Sequence, residues 1–198
     1  MRHSYIIIDD FLDNPDKVRQ SILDGGVELF NRQHPIYSDP SSYLYLPNGT
    51  TGRGRYSGRR TMPADKSYQD MFLGKLNSML PFKLQAEDNP QSCCFAFQLS
   101  LEDDDTWVHN DSTDWSGVLY LTPNAPIDSG TILFKEGAEP DPDKDDYNSL
   151  LTDTVGNLYN RLILFRGKLL PHRSNKPGFG DCLENGRLSQ HLFFDEVK

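Results

Sequence analysis

The tripeptide His109-Asn110-Asp111 is the first place where residue type and spacing offer chemistry. On an extended chain, residues two apart project from the same side. The His109 imidazole and the Asp111 carboxylate can therefore be presented to one point. A ring nitrogen and a carboxylate oxygen suit a divalent metal, which needs a further ligand from elsewhere in the fold. Two histidines and one carboxylate on one face leave the opposite coordination positions open, which suits a redox metal such as Fe(II) that must admit reactants. The other histidines are His3, His34, His172 and His191. His172 follows a Pro-containing segment, and His191 lies in a run where Arg187, Ser189, His191 and Phe193 share one face of a strand. A His-x-Asp tripeptide alone is common at strand ends and specifies nothing.

A second group of chemically able residues is cationic. Arg53, Arg55, Arg59 and Arg60 crowd a Gly-containing stretch of a chain that is otherwise acidic. Either this is a solvated loop, or it is a basic lid that recognises an anionic group on a substrate, with Arg55, Arg59 and Arg60 as the contacts. Trp107 and Trp115 flank the His-x-Asp; they read as core or rim packing, with Trp115 a further candidate substrate contact. The whole chain of 198 residues carries a formal charge of −9, which argues against non-specific nucleic-acid binding. Three cysteines exclude a disulfide framework and are read as reduced thiols of a cytoplasmic protein. No apolar run reaches the roughly 18 residues of a membrane span. The N-terminal run is too short, and has no cleavage site after it, to be a signal peptide.

The elements that must position these groups fall into two parts. Residues 1–90 read as an α/β support with a loop region. Tyr5 to Ile8 is a β-branched strand, and Asn14-Pro15 caps a helix that ends at Gly25-Gly26. A second helix covers Ser67 to Leu80, and Ser38 to Pro63 is irregular. From Cys93 a period-two pattern begins, with Cys93 and Cys94 on opposite faces. Further strands are expected at Thr106 to Asn110, Gly117 to Leu121, Thr131 to Phe134, Arg161 to Phe165 and Arg187 to Phe194, with an acidic surface excursion over Glu136 to Asp153. Many short strands separated by turns predict a mostly β fold, a jelly roll over residues 91–198, in a single domain spanning 1–198.

Taken in order, these pieces resemble the 2-oxoglutarate and Fe(II)-dependent oxygenase superfamily. The matching stretches are His109-Asn110-Asp111, Val118-Leu119-Tyr120-Leu121, Ser129-Gly130-Thr131-Ile132-Leu133-Phe134, Asn160-Arg161-Leu162-Ile163-Leu164-Phe165, His172-Arg173-Ser174 and Gly186-Arg187-Leu188-Ser189. The opening Ile6-Ile7-Ile8-Asp9-Asp10-Phe11-Leu12 is similar to that of the prolyl-hydroxylase-like branch. The resemblance implies a double-stranded β-helix core supported by N-terminal helices. It implies that His109, Asp111 and His172 hold Fe(II), and that Arg187, with Ser189 and Tyr120, binds the co-substrate 2-oxoglutarate. The implied reaction consumes dioxygen, releases succinate and CO2, and hydroxylates an amino-acid, peptidyl or small-metabolite substrate. Two other classes remain compatible with the residues: a cupin-like binding protein, and a Zn- or Mn-dependent hydrolase or isomerase using the same ligands.

Overall fold

Residues 4–31, 58–88, 92–104, 106–138, 151–176 and 178–198 are described in the computed structural model of the chain. Strands are numbered along the chain. The larger sheet has the order β1 (Tyr5–Ile8), β8 (Leu162–Phe165), β5 (Trp115–Tyr120), β10 (Arg187–Glu196), β4 (Ala96–Ser100) and β2 (Arg59–Pro63). The short β3 (Leu84–Ala86) pairs with the far end of β10. A smaller sheet has the order β7 (Leu151–Val155), β6 (Thr131–Phe134) and β9 (His172–Ser174). Every named pairing is antiparallel.

Side-chain alternation gives the large sheet two different faces. On one, Leu119 of β5, Leu162 and Leu164 of β8 and Leu188 and Leu192 of β10 join an apolar layer with Phe11, Ile22, Phe72 and Leu76. Two helices cover this layer, α1 (Pro15–Gly25) and α3 (Lys66–Met79), followed and preceded respectively by the short α2 (Glu28–Asn31). Asn14 caps α1 by accepting from Lys17 N at 3.1 Å, and Asp65 caps α3 by accepting from Tyr68 N at 3.0 Å. Phe72 reaches Phe11 and Phe95, with ring centroids 4.6 and 5.5 Å away. Burying such a ring stabilises by roughly 1.5–3 kcal/mol. On the other face, Val118, Tyr120, Ile163 and Phe165 pack with Leu133 and Val155 of the small sheet. Two antiparallel sheets closed over one interior make a mostly β, double-stranded β-helix core flanked by helices.

Several local expectations are corrected. Cys93 and Cys94 do not lie on a strand: both are buried, Cys93 just ahead of a turn and Cys94 in it, because Phe95 adopts a positive φ of 65° and the strand starts only at Ala96. The expected strand over Thr106 to Asn110 reduces to a bridge between His109 and His172. Met62 and its neighbours, assigned to the irregular stretch, form β2, and the end of the expected acidic excursion forms β7. No helix among the described residues is long and apolar enough to cross a membrane.

Candidate active site

Two backbone stitches build the site. His109 N donates to His172 O at 3.1 Å and His172 N donates back to His109 O at 2.9 Å, which sets the two imidazoles side by side with ring centroids 4.4 Å apart. Asp111 N donates to Gly167 O at 3.0 Å, and Lys168 N donates to Thr113 O at 3.1 Å. The His-x-Asp segment is thus sewn to the chain that links β8 to β9. Gly167 is needed at that seam: a Cβ there would lie 2.3 Å from Ser116 Oγ, 3.1 Å from Thr113 O and 3.2 Å from Asp111 Cβ.

The potential ligand atoms of His109, Asp111 and His172 all lie within 4.8 Å of one another. Asp111 offers one oxygen 3.7 Å from His109 Nε2 and the other 3.2 Å from His172 Nε2. Each ring is oriented through its second nitrogen. His109 Nδ1 lies 3.1 Å from Trp107 O and His172 Nδ1 lies 3.0 Å from Leu170 O. A carbonyl only accepts, so both Nδ1 atoms carry the proton and both Nε2 lone pairs face the common point. Although 44% of the His109 side chain remains exposed toward the mouth, the protein packed around the rest of the ring, together with His172, pushes its pKa down to about 4. Burial opposes the charge of Asp111, but the flanking His172 and His109 outweigh it and hold the carboxyl well below its usual range. A neutral imidazole and an ionised carboxylate are the states a metal requires. Ser116 Oγ stands close enough to this carboxylate to favour its charge, but it is buried without a well-formed hydrogen bond.

These groups open into a cavity of about 140 Å³ between the two sheets. That is room for on the order of ten waters, or a small organic acid. At its inner end lies Arg187, 1% exposed. Its Nε donates to Ser129 O at 3.0 Å, one amino group approaches Ser189 Oγ at 3.4 Å, and the guanidinium lies 5.7 Å from the centroid of the Tyr120 ring. Tyr120 is itself fixed through its hydroxyl, 2.6 Å from Thr131 Oγ1. No carboxylate among the described residues pairs with Arg187, and burial pulls its pKa down.

A second arginine enters from the sheet edge. Arg60 Nε donates to Gln98 Oε1 at 2.6 Å, and another Arg60 nitrogen lies 3.3 Å from His191 Nδ1. Guanidinium has no acceptor, so His191 Nδ1 accepts and its proton sits on Nε2, 3.3 Å from Ser189 Oγ. Burial, with Arg60 and Arg187 on either side, keeps His191 neutral by lowering its pKa well below the ordinary value. The row Arg60, Gln98, Ser189, Tyr120 is a direct product of strand register across β2, β4, β10 and β5.

The expected metal ligands and Arg187 therefore border one cavity, with Ser189 and Tyr120 against Arg187. The expected substrate contacts divide. Arg60 lines the cavity. Arg59, its neighbour on β2, is exposed, because alternation sends it the other way. Arg55 lies outside the described residues. Trp115 does not reach the cavity. It faces the helical layer, 1% exposed, stacked 5.1 Å from Phe82 and donating to Glu196 Oε1 at 2.8 Å. Gln98, Ser116 and Thr131 line the cavity without having been singled out in the sequence. Their only signal was polarity at inward strand positions.

No family model matches the chain, and no curated protein matches it. Solved structures do match along nearly its whole length. HygX from Streptomyces hygroscopicus, solved with nickel and 2-oxoglutarate bound, superposes with a TM-score of 0.56 at 10% identity, over 96% of this chain and 82% of that one. A prolyl hydroxylase from Trichoplax adhaerens, in complex with a hypoxia inducible factor oxygen degradation domain peptide, gives 0.53 at 16% identity over 96% and 83%. EctD from S. alaskensis, with 2-oxoglutarate and 5-hydroxyectoine, gives 0.53 at 14% identity over 98% and 72%. The chain has the fold of the 2-oxoglutarate and Fe(II)-dependent oxygenases. Within this oxygenase fold, the His109, Asp111 and His172 donor set suits a divalent metal, and the buried Arg187, with no carboxylate among the described residues beside it, suits an organic acid.

Proposed function

We propose that the protein is a 2-oxoglutarate-dependent Fe(II) dioxygenase that hydroxylates an amino-acid, peptidyl or small-metabolite substrate. The observation that carries this reading is the sharing of one cavity by two complementary poles. One is a His-Asp-His donor set with both Nε2 lone pairs facing it. The other is a buried guanidinium without a carboxylate partner among the described residues.

His109, Asp111 and His172 would hold the metal, and Arg187 would hold the distal carboxylate of 2-oxoglutarate in a planar, two-point grip. Ser189 Oγ already faces donors in His191 and Arg187, so its own proton is left to give to that carboxylate. When bound, the metal and co-substrate supply the oxidising chemistry: 2-oxoglutarate and dioxygen yield succinate and CO2, and the second oxygen atom converts a substrate C–H into C–OH. The chain's own share is positioning and the exclusion of water. Phe165 packs on the His172 ring at 4.4 Å, and Val118 and Phe193 line the same cavity.

Anaerobic addition of Fe(II) and then 2-oxoglutarate to the purified protein should produce a visible charge-transfer absorption. Asp111→Ala should lose it and weaken metal binding by more than the roughly 10–100-fold that a mere supporting residue costs. Full metal affinity in Asp111→Ala, or turnover under argon without 2-oxoglutarate, would refute the proposal.

A further inference from the structure

We propose that His191 is a positioning residue for the co-substrate: its Nε2–H donates to Ser189 Oγ and so leaves the Ser189 hydroxyl proton for the distal carboxylate of 2-oxoglutarate. This rests on the oxygenase reading above and deepens it. The starting point is a hydroxyl with two possible directions. Ser189 Oγ lies 3.3 Å from His191 Nε2 and 3.4 Å from an amino nitrogen of Arg187, and both of those side chains border the cavity. A guanidinium only donates, whereas an imidazole nitrogen can either donate or accept. If Nε2 accepted, it would consume the Ser189 proton, and a carboxylate on Arg187 would meet an oxygen lone pair. If Nε2 donates, the Ser189 proton is left for that carboxylate. Ser189 is fully buried, so bulk water cannot serve as an alternative partner. The state of one ring therefore decides whether Ser189 helps or opposes an organic acid.

Strand register sets that state. Arg60 of β2 pairs with Gln98 of β4, and Gln98 pairs in turn with Ser189 of β10. The Arg60 side chain thus crosses β4 toward the inward side of β10, where Ser189 and His191, two residues apart, point the same way. Gln98 Oε1 accepts from Arg60 Nε at 2.6 Å, and another Arg60 nitrogen lies 3.3 Å from His191 Nδ1. Guanidinium has no acceptor, so Nδ1 accepts, whatever else Arg60 meets. Desolvation of the ring, and then the positive charge of Arg60 and Arg187, disfavours a second ring proton. The single proton is therefore on Nε2. The relay runs one way, from Arg60 through His191 to Ser189. His191 need not touch 2-oxoglutarate to act: by occupying one lone pair of Oγ it removes the hydroxyl orientations that would point the proton back at β10.

The test uses the full chain with Fe(II) under argon, so that no turnover occurs. Two acids are titrated by the charge-transfer band: 2-oxoglutarate, and 2-oxobutyrate, which keeps the chelating end and lacks the distal carboxylate. If 2-oxoglutarate gives no band, the parent reading fails and this one with it. Given the band, Ser189→Ala and His191→Leu should each weaken 2-oxoglutarate binding about tenfold, the lower end for one hydrogen bond to a charged group. The double variant should be no weaker than Ser189→Ala, because the effect of His191 passes through that hydroxyl. His191→Gln, whose amide offers both a donor and an acceptor, should keep most of the affinity. Binding of 2-oxobutyrate should change by less than about twofold in every variant, since the lost bond is one it never makes. Long-range nitrogen–proton NMR of the labelled, metal-free chain should place the His191 proton on Nε2, a reading that needs no variant to fold. With the parent reading intact, the proposal is overturned by any of five results. These are a proton on Nδ1, unchanged 2-oxoglutarate affinity in Ser189→Ala or His191→Leu, additive losses in the double variant, equal losses for both acids, or a loss in His191→Gln as large as in His191→Leu.

Discussion

Gly167→Ala should damage the metal site without touching a ligand. Alanine is sterically compatible with the backbone at this position, so the effect comes from its methyl group alone. That methyl would stand 2.3 Å from Ser116 Oγ, which forces movement, and 3.1 and 3.2 Å from Thr113 O and Asp111 Cβ, which leaves no slack on the other side. The same glycine accepts the Asp111 amide proton at 3.0 Å, so relief of the clash pushes Asp111 away from His172. Overpacking of this kind costs roughly 1–3 kcal/mol. For a domain of this size that lowers Tm by about 2–12 °C. Displacing a ligand through its support should weaken Co(II) binding about 10–100-fold. Both quantities are accessible: Tm by calorimetry of the metal-free protein, and affinity by anaerobic Co(II) titration followed through the visible absorption. Ser116→Ala added to Gly167→Ala removes the closest contact and leaves the two milder ones, so the pair should recover a good part of both losses. Co(II) affinity within twofold of the parent in Gly167→Ala, or strictly additive effects in the double variant, would refute the reasoning.

Arg187→Ala should weaken 2-oxoglutarate binding by roughly 10–150-fold, the worth of hydrogen bonds to a charged group, while Co(II) affinity changes by less than about threefold; unchanged 2-oxoglutarate affinity sinks the assignment. The metal-free protein should lose stability as pH falls from 6.5 toward 4. The folded pKa of His109 is about 4 and that of His191 lies well below 6.5, so in this window the unfolded chain takes up protons that the folded one refuses. Thermal denaturation should therefore show Tm rising with pH across it, and less steeply in His191→Gln; a slope of opposite sign counts against imidazoles held neutral in the fold.

Much of the site was legible because it depends on period-two alternation within single strands. Arg187, Ser189 and His191 share a parity on β10, and all three face inward. The helix at Asn14-Pro15 was legible for a local reason too, the side-chain cap on Lys17 N. The failures come where parity is broken or where pairing is distant. Trp115 flanks the His-x-Asp in sequence, which leaves packing and substrate contact both open; the turn between them resets the alternation, and β5 sends Trp115 to the helical layer, so packing is its role. Cys93 and Cys94 were placed on a strand because nothing local announces that Phe95, a bulky residue, will take a left-handed backbone. Arg60 looked like one of several loop arginines. Its distinction arises only when β2 pairs with β4 and sets it beside Gln98.

The direction of every hydrogen bond along the inner wall follows from what each group lacks. Arg60 and Arg187 cannot accept, so His191 Nδ1 must accept from Arg60, its proton must sit on Nε2, and Ser189 Oγ receives that proton's bond while Arg187 approaches the same oxygen. The strands β2 and β10 thereby present donors to the cavity. The opposite wall is built the other way. Trp107 O and Leu170 O take the Nδ1 protons of His109 and His172, which leaves acceptors there: two Nε2 lone pairs and the Asp111 carboxylate. A cavity with an acceptor wall and a donor wall suits a cation on one side and an organic anion on the other. Reversing one element of that order, for example by forcing His191 to carry a proton on Nδ1, would set two donors against each other at Arg60. The neutrality of His191 is therefore a condition of the whole arrangement, and it is met by burial between two fixed positive charges.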